Sequence, residues 1–195
     1  MIALLAALAL NVSVVSECYV EEVNYDDLVY MALHHCKNAK SEEINEDVLW
    51  DLVEAEIRYG VPEDLRGMLL AAACLESGYN IRAEGDHRFS PTGKPKAIGI
   101  FQMWGWWETS KWGYGIDRTN HLQASDAYMR HIVRMVKKTR KRCGFKTQEK
   151  QWVAGWVTAI RSPKKGGRCY EKPNHYSLLK KWHRYIKNTP TPCGC

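Results

Sequence analysis

A mainly α domain is the fold class this sequence predicts, and three observations carry it. Apolar residues recur at spacings of three and four in six separate segments. Glycines that end helices, and polar residues or proline that start them, punctuate those segments. Strand-like alternation is scarce, and no repeat or low-complexity tract interrupts the chain.

The elements follow in order. Residues 25–38 read as a helix with Leu28, Met31, Ala32 and His35 on one face. Ser41 and the two glutamates after it open a second, whose inner stripe is Ile44, Val48, Leu49, Leu52, Val53 and Ile57. Gly60 closes it in a left-handed cap. Pro62 starts a third helix, with Glu63 and Asp64 in its first turn, that runs to Ser77 and stops at Gly78. Residues 79–98 hold Gly, Pro and charge without helical period. They read as a loop or small β-hairpin turning at "SPTG". "AIGIFQMWGWW" reads as a short helix or a tight crossing segment. Asp117 is placed to cap a long helix over 118–142, with Leu122, Ala124, Tyr128, Ile132, Met135 and Val136 facing inward. The cations of "KKTRKR" suit the end of that helix, and Gly144 follows. Residues 148–161 and 174–187 make two more helices.

The 195 residues, 45% of them hydrophobic, are enough for a proper core and exclude a disordered chain. A net charge of +6 suits an acidic partner such as a bacterial wall, a nucleic acid or an anionic membrane surface. Residues 1–16 carry no charge and are short for a membrane span, so they read as a signal peptide with Val14 and Ser16 before the cleavage point. No Lys or Arg precedes that apolar run, unlike the usual signal.

Seven cysteines fit export, with several paired and an odd one free. Cys74, inside the apolar third helix, is the candidate free thiol. "HHC" at 34–36 reads as helix surface and the terminal "CGC" as disulfide staples, since no cysteine or histidine set has zinc spacing. No metal or cofactor is expected.

Glu76 stands out in "LLAAACLESGYN". The helix before it is apolar on every side, so it belongs in the middle of the molecule and its last turn must emerge at an internal wall or cleft. A carboxyl there is withdrawn from water and lies at the negative end of the helix dipole, and both favour a protonated acid. Glycoside cleavage needs such a proton for the leaving oxygen. A structural carboxyl satisfied by tyrosine and backbone donors is the competing reading. Trp104, Trp106, Trp107, Trp112 and Tyr114 crowd around three glycines in eleven residues, a suitable floor for sugar rings.

With these residues in view, the chain resembles the lytic transglycosylases and goose-type lysozymes that cut peptidoglycan. "YGVPEDLRGMLLAAACLESGYN" is similar to the family's catalytic-helix segment. "AIGIFQM" resembles its Ala-x-Gly-Leu-Met-Gln signature through Ala97, Gly99 and Gln102. "DRTNHLQASDAYMRHI" is similar to Asp-Pro-x-x-Asn-Ile-x-Ala-Gly-x-x-Tyr-Leu through Asp117, Ala124 and Tyr128, with His121 and Ser125 replacing Asn and Gly. "HYSLLKKWHRYI" resembles the closing helix, with Tyr176 as its tyrosine. The resemblance covers about residues 55–186 and implies a lysozyme-like fold with a small hairpin beside the cleft. It divides the chain into the signal segment, an N-terminal helical extension (17–54), a catalytic domain (55–187) and a cysteine-containing tail (188–195). One departure is "AGWVTA", where Trp156 and Val157 stand for the family's Tyr-Asn.

By this resemblance Glu76 protonates the oxygen linking N-acetylmuramic acid to N-acetylglucosamine. It then draws the proton from the muramoyl 6-hydroxyl, giving a 1,6-anhydro sugar. Ser77 and Gln102 would orient substrate or acid, Tyr128 and Tyr176 would wall the site, and Trp156 and Trp104 would stack on sugar. A hydrolytic lysozyme is the alternative, with Asp86 as second carboxylate activating water. A wall-binding or assembly protein without turnover is a third reading, prompted by Trp156 and Val157. The expected partner is the peptidoglycan glycan strand in a secreted, periplasmic or virion-associated setting. Residues 17–54 are a candidate docking segment for an envelope or phage assembly partner. Nucleic acid and a stable membrane span are not expected, and the basic run from Arg130 to Arg142 reads as a solvated helix face.

Overall fold

Six helices and a small antiparallel sheet make up the computed structural model, which describes residues 17–18, 22–39, 44–111, 113–160, 169–189 and 191–192. The signal reading of 1–16, the helix start at Ser41, Trp112, and Cys193 and Cys195 lie outside the described residues.

Helix α1 (Tyr25–His35) starts where the Asn24 side chain accepts the Asp27 N–H, and it stops three residues earlier than predicted. In α2 (Glu46–Tyr59) the N-cap is Asn45, which accepts the Asp47 N–H at 2.9 Å, and Gly60 closes the helix in the predicted left-handed cap. Of the predicted stripe, Val48, Leu49, Leu52 and Val53 are buried, Ile44 lies before the helix and is half-buried, and Ile57 in the last turn is exposed.

The third helix is not continuous from Pro62. A single 3₁₀ turn (Glu63–Leu65) precedes Gly67, whose φ of 84° breaks the path before α3 (Met68–Ser77) begins. Every residue of α3 from Met68 to Cys74 is buried, and it packs against α1, α2 and α6. The apolar-all-round pattern therefore marks the central helix, as expected. Helices α1 and α2 belong to the same core cluster as the rest.

Cys74 is not a free thiol. It is bonded to Cys36, whose location after "HH" read only as helix surface, and the bond ties the end of α1 to the middle of α3. A second disulfide joins Cys143 to Cys169. Disulfides suit an oxidising compartment, and among the described residues no helix is long and apolar enough to cross a membrane.

After α3 comes a three-stranded antiparallel sheet of β2 (Glu84–Gly85), β3 (Ala97–Ile98) and β4 (Met103–Trp104), one strand more than a hairpin. A further short pair joins β1 (Glu17–Cys18) to β5 (Thr191–Pro192). "AIGIFQMWGWW" is thus strand, turn, strand and 3₁₀ turn (Gly105–Glu108), not one helix. Arg118, nearly buried, clamps this region by donating to the Lys96 and Met103 carbonyls and pairing with Glu108. Glu108 is therefore an ion-pair partner.

Helix α4 (His121–Cys143) is capped by Asn120, which accepts the Gln123 N–H, and not by Asp117. Asp117 instead accepts the N–H and hydroxyl of Thr119 in a local turn. Leu122, in the first turn, is exposed where no neighbour covers it, while Ala124, Tyr128, Ile132 and Val136 face inward. Helix α5 (Gln148–Ile160) crosses α4 closely at Gly155, where a Cβ would lie 2.4 Å from a Val136 methyl and 2.7 Å from the Val136 nitrogen. Helix α6 (Asn174–Asn188) closes against α3.

Candidate functional site

Glu76 lies one residue before the end of α3, which Gly78 terminates in a left-handed cap. A Cβ on Gly78 would sit 2.2 Å from the Asn38 carbonyl oxygen, so the helix ends hard against the turn after α1. From there the Glu76 side chain reaches an open cleft of about 740 Å³. The sheet side contributes Asp86, Gln102 and Trp104. Trp106 and Trp107 follow, and the opposite wall comes from α4 and the end of α5.

The Glu76 carboxylate is not desolvated by full burial, as the apolar helix implied. Its side chain is 34% exposed, and its closest company is an imidazole: His175 Nε2 lies 2.9 Å from Oε1. His175 is nearly buried at the start of α6 and stacks on Trp156, with ring centroids 5.8 Å apart. Its Nδ1 is buried without a hydrogen-bond partner. An orphaned buried N–H is costly, so the ring proton belongs on Nε2, where it donates to Glu76. Sequence reasoning passed over His175, although it stands next to Tyr176 in the quoted motif. An imidazole at the first turn of a helix returning to the core was the available signal.

The predicted binding residues divide. Gln102, Tyr128, Trp104 and Asp86 line the same cleft as Glu76. Gln102 adopts a left-handed φ of 47° and donates from its amide to the Ala83 and Gly99 carbonyls, which seats the side chain over Gly85. Trp104 is half-exposed and donates its indole N–H to Asp86 at 2.9 Å, while the Lys96 ammonium lies 5.6 Å from the ring centroid. Tyr128 stacks flat on Phe101 and its hydroxyl faces the Trp156 indole N–H at 3.4 Å. Burial, reinforced by the nearby Glu76 charge, pushes the Tyr128 phenol far up, so it stays neutral.

Ser77, Trp156 and Tyr176 do not line the cleft. Ser77 donates to the Ile100 carbonyl at 2.8 Å and so ties the end of α3 to the turn before Gln102. Trp156 is wholly buried and holds His175 and Tyr128 from behind. Tyr176 donates to Glu149 beside a separate, smaller hollow of about 220 Å³. Val157 is also fully buried, so its lack of a polar group takes nothing from the cleft wall.

His131 is a cleft residue the sequence did not single out. Its Nδ1 lies 2.9 Å from the Tyr114 hydroxyl, and Trp107 meets the ring edge-on. Burial, with Arg134 adding to it, pushes this imidazole down to about 4, so it is neutral at physiological pH. Glu76 and Asp86 are the carboxylates among the residues that line the cleft, and among the described residues no group of three metal-ligating side chains converges.

No family model, curated protein or solved structure matches the chain.

Proposed function

We propose that the chain is a secreted or periplasmic enzyme that cleaves the glycan strand of peptidoglycan, with Glu76 as acid and then base. The carrying observation is the setting of Glu76, a carboxyl with one oxygen held by His175, in an open cleft whose other wall carries Trp104 and Trp106. Oε1 is occupied by the imidazole N–H, which leaves Oε2 to carry the proton toward substrate. That proton passes to the glycosidic oxygen as its bond to the anomeric carbon breaks, and the 2-acetamido group stabilises the developing cation. The Glu76 carboxylate then takes the proton of the muramoyl 6-hydroxyl while its oxygen bonds to the anomeric carbon. The product is a 1,6-anhydro ring, and no water is consumed.

Hydrolysis is the second reading, favoured by Asp86 lining the same cleft. Its Oδ2 is engaged by the Trp104 indole, which leaves Oδ1 to orient water. The non-catalytic reading loses its motive, because both substituted residues, Trp156 and Val157, lie in the core.

Mass spectrometry of purified peptidoglycan treated with the protein separates these outcomes. Anhydro-muramic ends that disappear with Glu76→Gln support the transglycosylase. Reducing ends one water heavier, lost with Asp86→Asn, assign the hydrolase. A folded wild type that yields neither product overturns both.

A further inference from the structure

We propose that His131 is a specificity-determining residue of the cleft, its Nε2–H binding the carbonyl oxygen of a 2-acetamido group on a sugar next to the cleaved bond. The proposal rests on the peptidoglycan reading above and deepens it.

The cleft-facing residues of α4 are Tyr128, His131, Met135, Lys138, Thr139 and Arg142. Their steps of three and four place them on one face of the helix. Tyr128 marks the acid's end, since the Glu76 charge acts on its phenol. At 1.5 Å per residue, His131 follows about 4.5 Å along the axis. It therefore faces a ring beside the one that Glu76 attacks.

The imidazole is half-buried and fixed by three rings. Trp106, Trp107 and Tyr114 have their centroids 5.6, 5.1 and 5.8 Å from its own, and the last two meet it edge-on. The Arg130 guanidinium, 5.2 Å from the Tyr114 centroid, holds that phenol in place. Among the described residues the Tyr114 hydroxyl has one hydrogen-bond partner, His131 Nδ1 at 2.9 Å. A phenol with a single acceptor donates to it, so Nδ1 carries the lone pair and the ring proton sits on Nε2.

Nε2 has no hydrogen-bond partner among the described residues and, unlike Nδ1 of His175, is not sealed from solvent. It is thus a free donor in the cleft wall with no lone pair to offer. That rules it out as a second base and selects an acceptor oxygen. Trp106, 40% exposed, and Met135, one turn further along α4, flank it with apolar surface. A carboxylate there would lose water to a neutral ring without a countercharge. A sugar hydroxyl both donates and accepts, and has no apolar end. An acetamide supplies a carbonyl for the N–H and a methyl group for the tryptophan and the thioether.

Two measurements test this. Nitrogen NMR of histidine-labelled protein at neutral pH should show His131 protonated on Nε2 and bare on Nδ1, its signals assigned by their loss in His131→Gln. A proton on Nδ1 overturns the proposal, because Nε2 would then accept. Calorimetry on Glu76→Gln compares β-1,4 hexamers of N-acetylglucosamine and of glucose, which differ in the 2-substituent alone. The acetylated hexamer should bind more tightly. Adding His131→Phe should cut that preference by about three- to tenfold, the worth of one neutral hydrogen bond. His131→Gln, whose amide also presents an N–H, should keep part of it. An unchanged preference in His131→Phe, or equal affinity of Glu76→Gln for both hexamers, overturns the subsite and leaves the glycan reading standing. Binding of neither hexamer overturns both. A preference lost in His131→Phe, with no cleavage of peptidoglycan by wild type, upholds the subsite and removes the enzyme.

Discussion

Each end of α3 meets one glutamate, and the two settings are opposite. At the N-terminal end Glu56, from α2, is wholly buried and accepts the N–H groups of Gly67 and Leu69 at 2.7 and 2.6 Å. It satisfies donors that the broken helix start leaves open, much as a capping side chain does. Burial pushes its carboxyl up to about 8, against the two N–H bonds and the Tyr25 phenol, which favour ionisation. At the C-terminal end Glu76 is one-third exposed, faces a cleft, and is held by one imidazole. The better-buried carboxyl is the one with no route to a substrate. Desolvation alone does not mark a catalytic acid; an open path to a ligand must accompany it.

Four experiments would break or sharpen that contrast. The largest effect expected is on turnover: Glu76→Gln should lower glycan cleavage by about 10²–10⁴-fold, the usual worth of a positioned acid. Its melting temperature should barely move, because partly exposed pairs contribute about 0–1 kcal/mol. Glu56→Ala should do the reverse, costing about 2–6 kcal/mol in urea melts as two buried N–H groups lose their acceptor. The specific activity of its folded fraction should stay near wild type. If Glu56→Ala kills activity without destabilising, the assignment of roles is wrong. Third, Cys36→Ser/Cys74→Ser should cost about 2–4 kcal/mol, since the bond closes a long loop onto the helix that carries Glu76.

The fourth effect is a pH slope. An unfolded Glu56 titrates at its ordinary 4.5 and the folded one at about 8, so between these values the fold keeps a proton that the unfolded chain releases. This stabilisation is full below pH 4.5 and is lost as pH rises toward 8, by about 1.4 kcal/mol per unit. Urea melts from pH 5 to 8 check it, because Glu56→Gln should flatten that slope. Equal slopes in wild type and variant would mean that Glu56 is already ionised in the fold.

Local chemistry in the sequence located most helices well. Gly60, the α5 and α6 segments and the apolar run of α3 owe their conformation to neighbours within a turn or two. What escaped depends on distant residues. Asp117 and Asn120 are both good caps, and the structure uses Asn120 for α4 while Asp117 is taken up by the Thr119 turn and Arg118 between them is buried against the sheet region. Cys74 finds its partner 38 residues away. Glu56 is drawn inward by the break at Gly67, and His175 meets Glu76 across 99 positions. Glu76, Gln102, Tyr128, Trp104 and Asp86 were legible because their motifs lie on elements that converge. Ser77, Trp156 and Tyr176 belong to the same motifs but serve packing and ties behind the wall.

The single face of α4 also has a consequence for how this molecule can diversify. From Tyr128 to Arg142 the wall is one uninterrupted helix, and each residue added or removed there would turn everything beyond it by about 100°. A one-residue insertion after Met135 would swing Lys138 and Arg142 out of the cleft and carry Val136 off its seat against Gly155. Length changes are thus barred along that side. The segment between β2 and β3, with an open Gly93 at its turn, is free to grow or shrink. Relatives of this chain should differ in ligand by residue replacement on α4 and by loop length on the sheet side.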